Sequence, residues 1–127
     1  MEVVAAIIIY NEKILCVQRN INKFDYLSLK YEFPGGKVEL GETKEIALVR
    51  EIKEELNMEI EIIDNFLIVN HEYPDFNLNL NSFICKCHVT DLTLTEHVNY
   101  KWLSKDKLMD LDWAAADLPI VEKLRNS

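Results

Sequence analysis

Four glutamates and an arginine lie in a short stretch of this 127-residue chain. Glu42 stands alone and is followed by Arg50, Glu51, Glu54 and Glu55. Like charges at such spacing destabilise a helix by roughly 0.2–0.5 kcal/mol per pair, so their clustering indicates that something positive binds them. Mg²⁺ takes oxygen ligands and commonly bridges protein carboxylates to substrate phosphates. The stretch therefore predicts metal-assisted chemistry on a phosphate compound.

The residues around these glutamates predict one amphipathic helix. Thr43 is a suitable N-cap, because its hydroxyl can accept from a free backbone N–H of the first turn. At about 100° per residue, Glu51, Glu54 and Glu55 share one face, which we expect to be directed to solvent. The apolar residues expected on the opposite, buried face are Ile46, Val49, Ile52 and Leu56. A solvated acidic face would explain any single glutamate. The whole pattern is less easily explained, because a sequence window with six fixed residue types in place arises by chance only about once in 10⁷ windows.

The stretch GKVELGETKEIALVREIKEELNM, residues 36–58, resembles the box of the Nudix hydrolase family, G-x5-E-x7-R-E-U-x-E-E-x-G-U, where U is a bulky aliphatic residue. The matching residues are Gly36, Glu42, Arg50, Glu51, Ile52, Glu54, Glu55 and Met58. Asn57 stands where the family has glycine. Asn tolerates the left-handed conformation next best after glycine, so we interpret this as a conservative change at the end of the helix.

The resemblance implies an α/β fold, the Nudix α/β/α sandwich with a central mixed sheet, in a single domain of residues 1–127. The cofactor it implies is Mg²⁺, with Mn²⁺ as a substitute. The implied ligands are the carbonyl of Gly36 and the carboxylates of Glu51, Glu54, Glu55 and Glu96. Arg50 would orient Glu51, which is the expected catalytic base in MutT-like members. Glu96 is either a metal ligand, an alternative base or a solvated loop residue.

Further residues are candidates for substrate binding. Lys37 and Arg19 are expected to contact phosphates, although Arg19 would also suit an exposed strand end. Tyr73, Phe76 and Leu78 are either apolar walls for the base or ordinary sheet packing.

Asp117 has two interpretations. An ionised Asp117 can accept from the N4 amino group of cytosine or from N–H groups of a guanine edge. The run Asp117-Leu118-Pro119 is also a good helix start, with Asp117 as N-cap and proline in the first turn.

Composition limits the classes of partner that this chain is expected to bind. The chain has 14 basic and 22 acidic residues, a net charge of −8, which disfavours a nucleic acid polymer as ligand. The apolar start MEVVAAIIIY lacks a basic n-region and is too short to span a bilayer, so we expect a buried strand and a cytoplasmic protein without membrane contact. The odd set of Cys16, Cys85 and Cys87 predicts reduced core thiols. The three histidines are interpreted as ordinary polar positions.

Hydrophobic periodicity predicts the remaining elements. The expected strands are Val3–Tyr10, Ile14–Gln18, Glu59–His71, Leu78–Val89 and Val98–Leu103, and Tyr31–Phe33 leads into a turn. Residues 20–30 read as a loop over the site, and Pro34-Gly35-Gly36 as a turn. A short helical turn at Lys105–Leu108 and a final helix at Asp117–Arg125 complete the pattern.

Two further segments, residues 32–37 and 102–119, resemble the MutT-like branch, and the second resembles particularly its CTP and modified-pyrimidine pyrophosphohydrolases. The function that this resemblance implies is hydrolysis of a nucleoside triphosphate to a monophosphate and pyrophosphate, in the service of nucleotide-pool cleansing. Cytidine-type substrates, including 5-modified dCTP, rank ahead of 8-oxo-dGTP. The alternatives are a hydrolase of ADP-ribose or another nucleoside diphosphate derivative, and a non-enzymatic nucleotide sensor. Either a monomer or a homodimer is compatible with the sequence.

Overall fold

A computed structural model describes residues 1–127. The strands are β1 (Glu2–Tyr10), β2 (Lys13–Gln18), β3 (Tyr31–Glu32), β4 (Gly35–Lys37), β5 (Glu61–Glu72), β6 (Asn77–Lys86) and β7 (Asn99–Leu103). The α-helices are α1 (Lys44–Leu56) and α2 (Leu118–Arg125), and 3₁₀ turns occupy Lys105–Asp110 and Ala115–Asp117. The predicted strands, the short turn and both helices are present with shifts of one to three residues at their ends.

The strands form one mixed sheet. Its order is β3-β2-β1-β6-β5, with β4 also paired to β1 and β7 to β2. The β1–β6 pair is parallel, whereas every other named pair is antiparallel. The tight turn between β1 and β2 is made by Asn11 and Glu12, both with positive φ. Asn tolerates this conformation well, so a tight turn can join the first two predicted strands.

Helices cover both faces of the sheet because β1 is apolar on both sides. Val4, Ala6 and Ile8 pack into the core beneath α1. Ala5 and Ile7 point to the opposite core, which contains Ile120 and Val121 of α2 and several other residues. The expected α/β/α sandwich around a mixed sheet is confirmed.

The buried face of α1 differs from the predicted one. Ile52 and Leu56 are fully buried as expected, but Ile46 and Val49 are 59% and 43% exposed. Ala47 and Leu48 are buried in their place. This rotation turns the Glu51 side of the helix toward β4 and away from solvent. A small residue at Ala47 lets the helix pack closely while it holds this orientation.

The ends of α1 agree with the sequence. Thr43 Oγ1 accepts a hydrogen bond from the backbone N–H of Ile46 at 3.1 Å, as an N-cap does. Asn57 follows the helix with φ 52°, in the left-handed region. The replacement of glycine by Asn therefore preserves the expected helix end.

The predicted turn at Pro34-Gly35-Gly36 is wrong, because Gly35 and Gly36 belong to β4 and pair with Ala5 and Val4 of β1. Any Cβ at Gly35 would lie 1.9 Å from the carbonyl oxygen of Val4. Glycine is therefore required for close approach between two strands and not for a change of chain direction.

The cysteines are free and buried, as predicted. Burial raises the pKa of Cys85 to about 12, and burial together with the charge of Asp117 does the same for Cys16. These thiols are therefore poor nucleophiles at neutral pH. No helix is long and apolar enough to cross a membrane.

Candidate functional site

The predicted site residues meet in one cleft of about 1110 Å³. The ones that line it are Arg19, Gly36, Lys37, Glu51, Glu54, Glu55, Tyr73, Leu78, Glu96 and Asp117. Arg50 lies beside the cleft and contacts two of these glutamates. The loop after β2, the strand β4, the helix α1 and the segment before α2 thus contribute to a single site.

Arg50 joins the helix to the loop that precedes it. Its Nε and Nη2 donate to both oxygens of Glu42, at 2.7 and 2.8 Å. Its Nη1 donates to Glu51 Oε1 at 2.7 Å and to Glu54 Oε2 at 3.2 Å. Nη2 also reaches the carbonyl of Lys37 at 3.1 Å. One guanidinium therefore fixes three carboxylates and the end of β4, a task for which its planar fork is suited.

Glu42 fixes the loop before α1. Hydrogen bonds from Arg50 and from the Glu39 backbone N–H lower the pKa of Glu42 to about 2. The Glu39 N–H donates to Glu42 Oε1 at 3.0 Å. Because both oxygens accept from protein donors, Glu42 holds the loop against α1.

Glu51 and Gly36 are in direct contact. Any Cβ at Gly36 would lie 2.2 Å from Glu51 Oε2, so only glycine leaves room for this carboxylate. Oε1 of the same carboxylate is held by Arg50. Glu51 is therefore fixed on one side by a guanidinium and on the other by a strand backbone.

Glu55 lies deeper in the cleft than Glu54 and has a buried oxygen atom without a partner. Its side chain is 13% exposed, compared with 58% for Glu54. Oε2 of Glu55 is buried and has no hydrogen-bond partner. Burial raises the pKa of Glu55 to about 9, and the charges of Glu51, Glu32 and Glu96 contribute to the increase. The expectation that the whole acidic face is directed to solvent holds only for Glu54.

The carboxylates are suited to a cation, although they do not converge on one point. No group of three or more acidic, histidine or cysteine side chains is arranged closely enough to hold an ion. Oε2 of Glu55 is nevertheless a buried oxygen without a hydrogen-bond partner. Hard divalent cations bind such oxygen donors. The donor set of Glu51, Glu54 and Glu55 therefore fits a metal of this class.

Asp117 closes another part of the cleft. Its Oδ2 accepts a hydrogen bond from the backbone N–H of Phe33 at 2.9 Å, across 84 residues of sequence. Burial, and then the charge of Glu32, raise the pKa of Asp117 well above its usual range. Although α2 begins directly after Asp117, the carboxylate makes no capping hydrogen bond. The N-cap interpretation is therefore wrong for this side chain.

The segment that carries Asp117 is held in place by β3. Tyr31 donates its backbone N–H to the carbonyl of Asp112, and the Tyr31 carbonyl accepts from the N–H of Ala114. The hydroxyl of Tyr73 accepts from the N–H of Ala116 at 3.0 Å. These bonds explain how Asp117 reaches Phe33, which lies between β3 and β4 in the chain.

The loop of residues 20–30 lies at the cleft, as predicted: residues 20–24 and Leu27 line it, and its aromatic side chains pack on the β5–β6 turn. Tyr26 stacks on Phe24 and on Tyr73, with ring centroids 5.2 and 5.0 Å apart. The Tyr26 hydroxyl donates to Asp75 at 2.7 Å. Tyr73 is buried, and both Tyr73 and Phe76 line the cleft. Tyr73 therefore fulfils both alternatives given for these residues, since it packs in the core and also forms part of the cleft wall.

Two site residues were missed by sequence reasoning. Glu32 Oε1 accepts from Arg19 at 3.0 Å, and Glu32 Oε2 lies 2.9 Å from Nε2 of His97. The His97 side chain is only 6% exposed, so its interpretation as an ordinary polar position is wrong. The available signal was its place directly after Glu96, the candidate loop carboxylate.

Comparison with known proteins identifies the architecture. Residues 1–124 match the NUDIX domain. The chain belongs to the Nudix family. It is a Nudix hydrolase and hence an enzyme, with relatives that carry named pyrophosphohydrolase activities.

Two characterised relatives come from Escherichia coli K12. The chain is 36% identical to a CTP pyrophosphohydrolase over 126 residues, covering 96% of this chain and 89% of the relative. It is 32% identical to an 8-oxo-dGTP diphosphatase over 100 residues, covering 79% and 78% of the two chains.

A solved Nudix structure is also similar. The MutT protein of methicillin-resistant Staphylococcus aureus 252 is 42% identical, with a TM-score of 0.77, and the match covers 98% of this chain and 95% of that one. The MutT-like resemblance found in the sequence is thereby confirmed.

Proposed function

We propose that this Nudix hydrolase is a Mg²⁺-dependent nucleoside triphosphate pyrophosphohydrolase that releases a monophosphate and pyrophosphate. Mn²⁺ would substitute for Mg²⁺. The observation that carries the proposal is the buried Oε2 atom of Glu55, which has no hydrogen-bond partner and lies in the same cleft as Glu51 and Asp117. Acidic side chains lie together on the α1 side of the cleft, and the buried Asp117 lies on another side. This arrangement suits a nucleotide whose phosphates bind a metal and whose base carries polar groups.

At the phosphate end, Glu51, Glu54, Glu55 and the Gly36 carbonyl would hold the metal, with Glu96 as a further ligand or an alternative base. A bound divalent cation neutralises phosphate charge and favours attack by water. Glu51 would take the proton of that water, because Arg50 holds Oε1 and so fixes the orientation of a carboxylate that lines the cleft. Arg19 and Lys37 would contact phosphate oxygens and so align the leaving group.

Asp117 would read the base. Its Oδ2 is occupied by the Phe33 N–H, so Oδ1 is left for a ligand. Tyr73 and Leu78 supply apolar surface to the same cleft. Cytidine-type triphosphates rank ahead of 8-oxo-dGTP, a choice supported by the 36% identity to the E. coli CTP pyrophosphohydrolase. The cellular task that follows is cleansing of the nucleotide pool.

The proposal is tested by product analysis with Mg²⁺ over a panel of substrates. The panel contains the four dNTPs, CTP, 5-modified dCTP, 8-oxo-dGTP and ADP-ribose. We expect selective turnover of one triphosphate with release of pyrophosphate. Turnover of ADP-ribose alone would contradict the substrate class, and tight nucleotide binding without turnover would favour the sensor alternative.

Substitution of the metal-binding face is the second test. Glu55→Gln and Glu54→Gln should each reduce Mg²⁺-dependent turnover by at least the roughly 10- to 100-fold that loss of a residue supporting a metal ligand costs, since each removes a charged ligand itself. Glu59→Gln is the matched control, because Glu59 is 89% exposed and lies outside the cleft. Near-normal activity of the Glu55 variant would refute this assignment of the metal site.

A further inference from the structure

The loop that carries Glu96 and His97 is bonded directly to the end of α1. The backbone N–H and the hydroxyl of Thr95 both donate to the carbonyl of Glu55, at 3.3 and 2.9 Å. The N–H of Thr93 donates to the carbonyl of Leu56 at 2.9 Å. The loop therefore has a fixed position relative to Glu55, although 40 residues separate Glu55 from Thr95.

His97 lies between two carboxylates inside the cleft. Its Nε2 is 2.9 Å from Glu32 Oε2, and its Nδ1 is 3.9 Å from Glu55 Oε2. A carboxylate is a hydrogen-bond acceptor, so Nε2–H donates to Glu32 and the Nδ1 edge of the ring faces Glu55. On its far side, Glu32 accepts from Arg19. Hydrogen bonds thus connect Arg19 through Glu32 to His97, and the unpartnered Nδ1 of His97 faces Glu55 Oε2 across a gap of 3.9 Å.

Unsatisfied polar atoms are concentrated among these side chains. Four buried side-chain atoms in the chain lack a hydrogen-bond partner, and three of them are Arg19 Nε, His97 Nδ1 and Glu55 Oε2. Buried polar atoms in folded proteins are normally paired, so each exception requires an explanation. Three exceptions around one cleft point to groups that are held ready for a ligand.

We propose that His97 is a positioning residue: Glu32, which is itself held by Arg19, fixes the ring, and the ring beside Glu55 restricts the direction of that carboxylate. The inference rests on the proposed function, because Glu55 is there a metal ligand and Arg19 a phosphate contact. His97 is not itself a ligand. Its ring occupies the space between the two carboxylates and restricts the orientations that each can adopt. Residues that orient metal-binding side chains contribute about 10- to 100-fold to metal affinity or activity.

Direct binding of Mn²⁺ to the full chain without substrate tests the proposal. Free Mn²⁺ is followed by electron paramagnetic resonance in a titration of wild type, His97→Leu and His97→Gln. The control is His88→Leu, because His88 is exposed and lies outside the cleft. We expect about tenfold or greater loss of affinity for His97→Leu, a smaller loss for His97→Gln, whose amide can still donate to Glu32, and no change for the control.

Turnover against metal concentration supplies the second measurement. In His97→Leu, the metal concentration for half-maximal rate should rise by about tenfold, while kcat at saturating metal returns close to wild type. General damage to the fold would lower kcat without rescue by metal. Wild-type Mn²⁺ affinity in the leucine variant, or a loss of kcat that metal does not relieve, would overturn the proposal. If the leucine variant does not fold, the same criteria apply to His97→Gln.

The two proposals fail in distinguishable ways. A wild-type protein that hydrolyses no triphosphate, but binds Mn²⁺ more tightly than His97→Leu, refutes the proposed function and leaves the positioning role standing. Triphosphate turnover with equal Mn²⁺ affinity in wild type and His97→Leu refutes only the positioning role.

Discussion

The carboxylate of Glu51 occupies the space where a side chain at Gly36 would begin. A Cβ on Gly36 would lie 2.2 Å from Glu51 Oε2 and 2.3 Å from Glu51 Cδ. Both distances are far shorter than a van der Waals contact between non-bonded atoms. The glycine that starts the family motif and the glutamate fifteen positions later therefore form one structural unit.

Gly36→Ala should inactivate the enzyme, because the new methyl group must displace the Glu51 carboxylate. We expect kcat to fall by about 100-fold or more, with a smaller effect on the KM for the triphosphate. Gly41→Ala is the control. It has open space around the site of the new Cβ but a φ of 85°, so it should cost about 1 kcal/mol of stability and leave activity intact. Steady-state kinetics and thermal unfolding of both variants check the prediction, and an active Gly36→Ala enzyme would contradict it.

The stability of the metal-free protein should depend on pH through Glu55. Its pKa is raised from 4.5 to about 9 in the folded protein, so between these values the folded state binds more protons than the unfolded state. Stability should therefore decrease as the pH rises through this interval, by at most about 1.4 kcal/mol per pH unit from this group. Thermal unfolding in the presence of a chelator, from about pH 5 to about pH 9, measures the slope.

Glu55→Gln is the matched variant for this slope, since it removes the ionisable group and keeps the shape. The slope should become shallower without disappearing, because the pKa of Asp117 is also raised and acts in the same direction. A divalent cation should stabilise wild type most at high pH, where it competes with fewer protons. Identical slopes for wild type and Glu55→Gln would show that Glu55 does not carry the excess proton.

Arg50→Lys should disrupt the site although the charge is retained. A lysine cannot form the paired bonds to Glu42 and still reach Glu51 and the Lys37 carbonyl. We expect Tm to fall by several degrees and kcat by about tenfold, because Glu51 loses its fixed orientation. Arg125→Lys, on the exposed end of α2, is the control. Equal kcat values for the Arg50 variant and the wild type would remove Arg50 from the positioning of Glu51.

The local parts of the site were predictable from sequence. Helical spacing placed Glu51, Glu54 and Glu55 on one face, and Thr43 and Asn57 supplied the correct helix ends. These features depend on residues within a few turns of one another, where sequence distance and spatial distance correspond.

The rotation of α1 was not predictable in this way. Ile46 and Val49 match the apolar period as well as Ala47 and Leu48 do. Which of the two pairs is buried depends on how closely β4 approaches the helix. That approach is set by Gly36, which sequence reasoning had placed in a turn. The same limit applies to Glu32 and His97, which are 65 residues apart and have no common period. Their contact exists only because β2 pairs with both β3 and β7.

Asp117→Asn should change the choice of base more than the rate of hydrolysis. An asparagine oxygen can still accept from the Phe33 N–H, so the position of the side chain is retained. The proposed acceptor role belongs to the ionised form of Asp117, and in the variant an amide donor replaces that acceptor, which disfavours any base that presents its own N–H there. We expect the ratio of kcat/KM values between cytidine-type triphosphates and 8-oxo-dGTP to shift by about tenfold or more, while Tm changes little.

Asp112→Asn is the control for this prediction, since the Asp112 side chain is 74% exposed and bonds only to Lys30. It should preserve both the substrate profile and the rate. Competition between two triphosphates in one reaction measures the ratio directly and removes errors in enzyme concentration. An unchanged ratio in Asp117→Asn would assign Asp117 to the support of β3 alone, because the Phe33 hydrogen bond would then be its whole contribution.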